Sequence, residues 1–221
     1  MSYRHLLPVL GLLLIGFGLA EGGWFLVAVW LGCDFVVLGI AHATGSHGVF
    51  GKRIDGTLPW WSWVVFLPLL IYTTIIWHLI RLFSREPAHN VVNEKLVVGR
   101  RLLGFELGGD YDNFVDLTAE FSEPFLIRRS GSYRSFPVLD GGAPKPEALR
   151  AAVANLRPGR TFIHCAQGHG RTGLFALAFL LHTGAARNVE EGLRMLSVAR
   201  PGIRLNREQR RCIEVYARQA G

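Results

Sequence analysis

Residues 161–173 read Thr161-Phe162-Ile163-His164-Cys165-Ala166-Gln167-Gly168-His169-Gly170-Arg171-Thr172-Gly173. An apolar run of strand length enters from the left. A nearly unbroken apolar helix leaves to the right, and small residues lie between. Gly168 and Gly170 allow backbone angles that other residues resist. A loop of this kind can turn the amides of Ala166, Gln167, Gly168, His169 and Gly170 inward, and the positive end of the helix dipole completes a nest for a tetrahedral anion. Cys165 sits at the foot of that nest, in a field that favours a thiolate. Arg171 can return from the first helical turn and hold two oxygens of an anion with its planar fork. The Thr172 hydroxyl is placed to donate to the sulfur. His164 is expected to orient the loop through hydrogen bonds without exchanging protons.

Working outward, the helix from Arg171 is apolar on all sides between residues 174 and 181, which predicts burial, and Gly184 is its expected stop. Asn188 with Glu191, and Asn206 with Gln209, have capping-box spacing and open two further helices. Upstream, strands are expected at Leu96-Val97-Val98, at Phe114-Val115-Asp116-Leu117 and over residues 133–139. Pro146 starts a helix carrying Leu149, Val153 and Leu156, which Pro158-Gly159 ends. Strand, helix, strand, loop and helix in that order predict an α/β layered domain.

Cys-x5-Arg-Thr preceded by His resembles the signature of the protein tyrosine and dual-specificity phosphatase superfamily. Cys165 and Arg171 match its two essential positions, and Thr172 its Ser/Thr position. The resemblance extends over about residues 92–219 and includes the strand at 114–117 and the Arg200-Pro201 pair. It implies a dual-specificity-phosphatase-like domain, a central sheet flanked by helices. It also implies hydrolysis through a phosphocysteine, with no cofactor and no metal. A family member needs an Asp on an upstream loop as general acid. Asp140, followed by Gly141-Gly142, fits best; Asp110 and Asp112 are alternatives, and Asp116 reads as a structural residue at a strand end. His169 occupies a variable loop position that faces either substrate or solvent. Arg200 and Arg204 read as surface charges beside a helix end, or as contacts to a second anionic group.

Half of the 221 residues are apolar, but unevenly so. Residues 1–84 form an apolar region with stretches at 6–20, 24–43 and 58–83, and residues 85–221 have ordinary globular composition. A membrane-spanning helix needs about 20 apolar residues. The third stretch, with Trp60, Trp61 and Trp63 at its start, meets this as one span; the second is adequate despite Asp34; the first is short. Two to three transmembrane helices are expected. Arg81, Arg85, Lys95, Arg100 and Arg101 follow the last stretch and place the globular domain in the cytoplasm, in a multi-pass protein of a bacterial inner membrane type. Of the three cysteines, Cys33 and Cys212 read as small buried hydrophobes, and nothing in their spacing suggests a disulfide framework or a zinc site.

The net charge of +7 sits mainly on the globular part and suits phosphorylated lipid or protein substrates at a membrane, with no nucleic acid partner. The expected function is a membrane-tethered phosphatase acting on a phospholipid headgroup or a phosphoprotein. The alternative is a phosphate-binding module without turnover.

Overall fold

The computed structural model describes residues 3–130 and 132–219, in two compact units. The first holds most of residues 1–84 and the second most of 85–221.

In the first unit, α1 (Tyr3–Glu21) and α2 (Leu26–Thr44) form an antiparallel hairpin joined through a 3-10 turn at Gly23–Phe25. Small residues bring the two backbones together. A Cβ on Gly11 would lie 2.5 Å from the Gly32 carbonyl, and one on Gly18 would lie 2.6 Å from the Phe25 carbonyl. Side-chain-free positions of this kind are what let apolar helices pack closely. Asp34 lies buried in α2. The third apolar stretch is not one span. It divides into α3 (Trp60–Val65) and the 17-residue α4 (Leu67–Phe83), with Phe66 between them at φ −104° and ψ 23°. Pro68 is the cause: it has no N–H to give the preceding turn and its fixed φ suits the start of a new helix. Two helical segments, Tyr3–Glu21 and Gly23–Thr44, are long and apolar enough to cross a membrane by length and composition. At 17 residues α4 falls short of that measure.

The second unit is built on a five-stranded sheet of order β1-β2-β5-β3-β4. Its strands are β1 (His89–Asn93), β2 (Leu96–Arg100), β3 (Asn113–Thr118), β4 (Tyr133–Val138) and β5 (Thr161–Cys165). Only β1 is antiparallel; the sequence reading missed it because His89-Asn90-Val91-Val92-Asn93 is short and half polar. Alternation along the strands separates two cores. Leu96, Val98, Val115, Ile163 and Cys165 face one side. Val97, Phe114 and Phe162 face the other, with Leu102, Ile127 and Tyr133.

The helices are α5 (Phe125–Arg128), α6 (Pro146–Ala154), α7 (Gly170–His182), α8 (Val189–Ala199) and α9 (Arg207–Arg218). As its sequence predicts, α7 is buried from Arg171 to Leu180, packed against β2, β5, α6, α8 and α9. Asn206 and Gln209 form the full capping box at the start of α9. At α8 only half forms: Asn188 accepts from the Glu191 amide, while the Glu191 carboxylate turns to the amide and side chain of Arg187. Cys212 is buried in the core, but Cys33 is exposed, contrary to the expectation.

Candidate active site

Parallel strands bring their carboxyl ends to one edge of the sheet, where open α/β folds hold ligands. Arg100 pairs with Cys165 at the ends of β2 and β5, so the cysteine closes the central strand at that edge. The loop 166–169 then leads into α7, whose amino end points back at it.

The direction of the loop amides follows from what its carbonyls do. Ala166 O accepts from the Arg101 amide at 3.3 Å. Gln167 O and Gly168 O both accept from the Arg200 guanidinium at 3.0 Å. These three carbonyls therefore point out of the loop. In a planar trans peptide the N–H lies opposite the C=O, and none of the described peptides is cis. The amides of Gln167, Gly168 and His169 consequently face inward. One is caught in that role: the Gly168 N–H donates to Cys165 Sγ at 3.3 Å.

Arg171 is buried on the first turn of α7. Its Nη1 donates to Val138 O at 2.9 Å and its Nη2 lies 3.1 Å from Asp140 Oδ1. Asp140 stands at the end of β4 with its side chain 74% exposed. Thiol, inward amides, guanidinium and an exposed carboxylate thus converge on one edge. Thr172 is fully buried, and its hydroxyl has no hydrogen-bond partner among the described residues, so the expected bond to the sulfur is not formed in this state.

No family model matches the chain. Over 81 residues it is 33% identical to "Putative tyrosine phosphatase 067L" of Invertebrate iridescent virus 3, a match covering 32% of this chain and 34% of that one. The match thus spans about a third of the curated relative. Among solved structures, Tk-PTP in its active form aligns with a TM-score of 0.54 at 22% identity, covering 60% of this chain and 98% of that one. PTPMT1 in complex with PI(5)P aligns at 0.53 and 12% identity, covering 61% and 97%. Human DUSP28 aligns at 0.51 and 15% identity, covering 61% and 95%. The second unit has a dual-specificity-phosphatase-like fold.

Within this phosphatase-like domain the other carboxylates separate clearly. Asp112 accepts from the Arg160 amide at 2.7 Å, at the opposite, amino edge of the parallel strands. Asp110 lines a hollow there with Tyr111 and Arg157, about 320 Å³ in volume. Neither is near Cys165 along the strand direction, so of the three aspartates read as possible acids Asp140 is the one at the thiol edge. Asp116 lies within β3, not at its end. It is buried and accepts from the Thr118 amide and hydroxyl and from the Tyr133 hydroxyl, at 2.8, 2.7 and 2.7 Å. His164 is fully buried, its Nε2 3.9 Å from Asp116 and its ring 5.0 Å from that of Phe114. Asp116, Glu123 and His164 bring possible metal-ligand atoms within 4.8 Å of one another. Their carboxylates are already engaged by Tyr133, Thr118 and Arg101, so internal bonding accounts for the cluster.

Arg200 corrects the sequence reading most sharply. It is no surface charge: it is 2% exposed and donates to Gly168 O, Gln167 O, Pro87 O, Asn90 Oδ1 and Glu86. Burial pulls its guanidinium below its ordinary value, and the facing Glu86 carboxylate opposes this. Arg204, by contrast, is exposed as expected. His169 turns its imidazole to Glu86, with Nε2 2.7 Å from Oε2, instead of standing free in solvent. Glu86 thereby links two points of the loop. It carried no signal in the sequence, because it precedes every recognisable element of the domain.

Proposed function

We propose that this chain is a membrane-anchored cysteine phosphatase that hydrolyses phosphomonoesters through a phosphocysteine. The observation that carries the reading is the loop 165–171: a sulfur faced by inward amides, beside a buried guanidinium. A phosphate seated there places its oxygens on the amides of residues 166–170 and on Arg171. The thiolate of Cys165 attacks phosphorus in line with the ester oxygen. The S–P bond forms, the P–O ester bond breaks, and Asp140 protonates the departing oxygen. Water then attacks the phosphocysteine, Asp140 takes its proton, the S–P bond breaks, and orthophosphate leaves with the thiolate restored. The Thr172 hydroxyl supports that departure by donating to the sulfur, and the His164 ring backs the end of β5 from its other face by packing on Phe114 and Phe162.

The substrate is a phospholipid headgroup or a phosphoprotein at the membrane. In support, two apolar helical segments lie at the amino end, and a fold neighbour, PTPMT1, is known in complex with PI(5)P. Spans within residues 1–84 would anchor the catalytic domain, 85–221, on the cytoplasmic side favoured by Arg81, Arg85 and Lys95. Anchoring raises the local concentration of any substrate in the same bilayer.

The test is replacement of the nucleophile in the full chain. Cys165→Ser should lower turnover of p-nitrophenyl phosphate by at least about 10³-fold, the scale seen when a covalent nucleophile is removed, while phosphate binding survives. Acid quenching of the wild type during turnover should leave phosphate on Cys165. Wild-type protein inert towards every phosphomonoester tried would overturn the reading in favour of a binding module.

A further inference from the structure

The two loops beside the catalytic edge carry apolar side chains that a water-facing surface does not require. After β2 the chain makes a 3-10 turn at Gly104–Glu106, and after β3 it makes α5. Phe105 is 82% exposed, Phe125 56% and Leu126 62%. They belong to one patch, since a Cβ on Gly104 would lie 3.6 Å from Leu126 Cδ1 and 3.6 Å from Pro124 Cβ.

The patch is held, not loose. Arg100 grips Glu106 with both guanidinium ends, at 3.0 and 2.7 Å, and Glu106 also accepts from the Leu103 amide. Arg101 donates to Glu123 Oε1 and Ser122 O at 2.7 and 2.6 Å, and Arg128 donates to Glu123 O at 2.9 Å. The turn and α5 are thus tied to each other and to the strand ends. These ion pairs neutralise Glu106 and Glu123, while Glu120, in the loop before α5, accepts from the Ala119 amide. Arg128 and Arg129 flank the apolar group, with guanidinium carbons 5.9 and 4.8 Å from the Phe125 ring centre. Arg101, at the base of this network, also bonds the phosphate loop at Ala166 O.

We propose that Phe105, Phe125 and Leu126, flanked by Arg128 and Arg129, form a docking surface for an anionic lipid bilayer. The inference rests on the membrane-anchored reading above. Aromatic and leucine side chains enter the headgroup boundary, and arginines beside them meet anionic headgroups. Because Arg100 and Arg101 tie the patch to the end of β2, beside Cys165, docking turns the phosphate loop towards the headgroup layer. The anchor then limits distance, while this surface sets orientation.

The test uses the full chain in vesicles of phosphatidylcholine alone and in vesicles with phosphatidylglycerol in about equal parts. Hydrogen exchange is followed in peptides covering residues 103–107 and 124–129. About tenfold slower exchange is expected in the anionic vesicles only, with the protection lost in the triple variant Phe105→Ser, Phe125→Ser, Leu126→Ser. The same variant should keep p-nitrophenyl phosphate turnover within about twofold, as the three are exposed and lie outside the loop 165–171. Equal exchange in both vesicle types would overturn the proposal. So would protection that appears only on adding a phosphopeptide, which would make the patch a protein-binding surface. Failure of the phosphatase reading shows separately, as wild type inert towards p-nitrophenyl phosphate.

Discussion

The Asp140 carboxylate lies 3.1 Å from Nη2 of Arg171, while Nη1 of the same guanidinium holds Val138 O two residues earlier. One arginine therefore fixes the end of β4 relative to the start of α7 and sets the position of the exposed carboxylate. An arriving phosphate competes for Nη2, because it carries more negative charge and can offer two oxygens to the planar fork. In the proposed reaction that exchange frees Asp140 to face the leaving oxygen.

Asp140→Asn keeps the shape and removes the proton. With an alkyl phosphate, whose leaving group needs protonation, kcat should fall about 10²–10³-fold. With p-nitrophenyl phosphate, whose leaving group departs as a stable anion, the loss should be far smaller. Equal losses on the two substrates would remove Asp140 from the role of acid.

Arg200 is the second buried guanidinium of the site, and it acts on the loop from outside. Arg200→Ala removes the donor that turns the Gln167 and Gly168 carbonyls outward and takes the guanidinium from Glu86, which keeps His169. Hydrogen bonds to charged groups are worth about 1.5–3 kcal/mol each and are costly to orphan. A loss of about 3–5 kcal/mol in stability is expected, with kcat/KM falling more than tenfold in whatever protein remains folded. Glu86→Gln, which keeps a hydrogen-bonding oxygen, should be milder in both respects. Thermal denaturation and steady-state kinetics on the pair decide this.

Gly168→Ala tests the loop backbone itself. Gly168 has φ +76°, and a Cβ there would collide with the Gly99 carbonyl and lie 2.7 Å from the Arg100 amide nitrogen. Positive φ alone costs a side-chain-bearing residue about 1–2 kcal/mol, and these neighbours are strand backbone, which cannot yield cheaply. The loop should leave its anion-cradling form, with turnover falling by about 10² or more, while far-ultraviolet circular dichroism stays unchanged. Near wild-type kinetics would show that the amides need not be held as seen.

The parts of this site legible in the sequence are those made by contiguous residues. Strand, loop and helix around Cys165 follow one another in the chain, so their types and spacing state the geometry. The burial of α7 was legible for the same reason. Contacts across large separations were not: Arg200 and Glu86 lie 114 positions apart, and nothing local says that a basic residue after α8 turns inward. The apolar stretch at 58–83 misled because composition registers hydrophobicity and not continuity; Pro68 alone decides where the helix breaks. Asp116 read as a strand end because its neighbours outline a shorter strand than the register with β4 and β5 supports.

Cys212 offers a pH signature separate from catalysis. It is buried on α9 with Sγ 3.2 Å from Pro144 O. Burial first, and the Glu147 carboxylate second, push its thiol from an ordinary 9.0 up to about 11. The folded state thus holds this proton more tightly than the unfolded one. Its contribution is complete below pH 9.0 and is lost as pH rises through about 11. Two pH units correspond to about 2–3 kcal/mol. Tyr133 and Tyr216 are also raised by burial, so they add loss of the same sign on the alkaline side. Cys212→Ala should be somewhat less stable than wild type at pH 7, for lost packing, yet should lose less on going from pH 8 to pH 11. Thermal inactivation midpoints of both proteins across that range measure the difference. Parallel curves would mean that the fold does not raise the Cys212 thiol above its unfolded value.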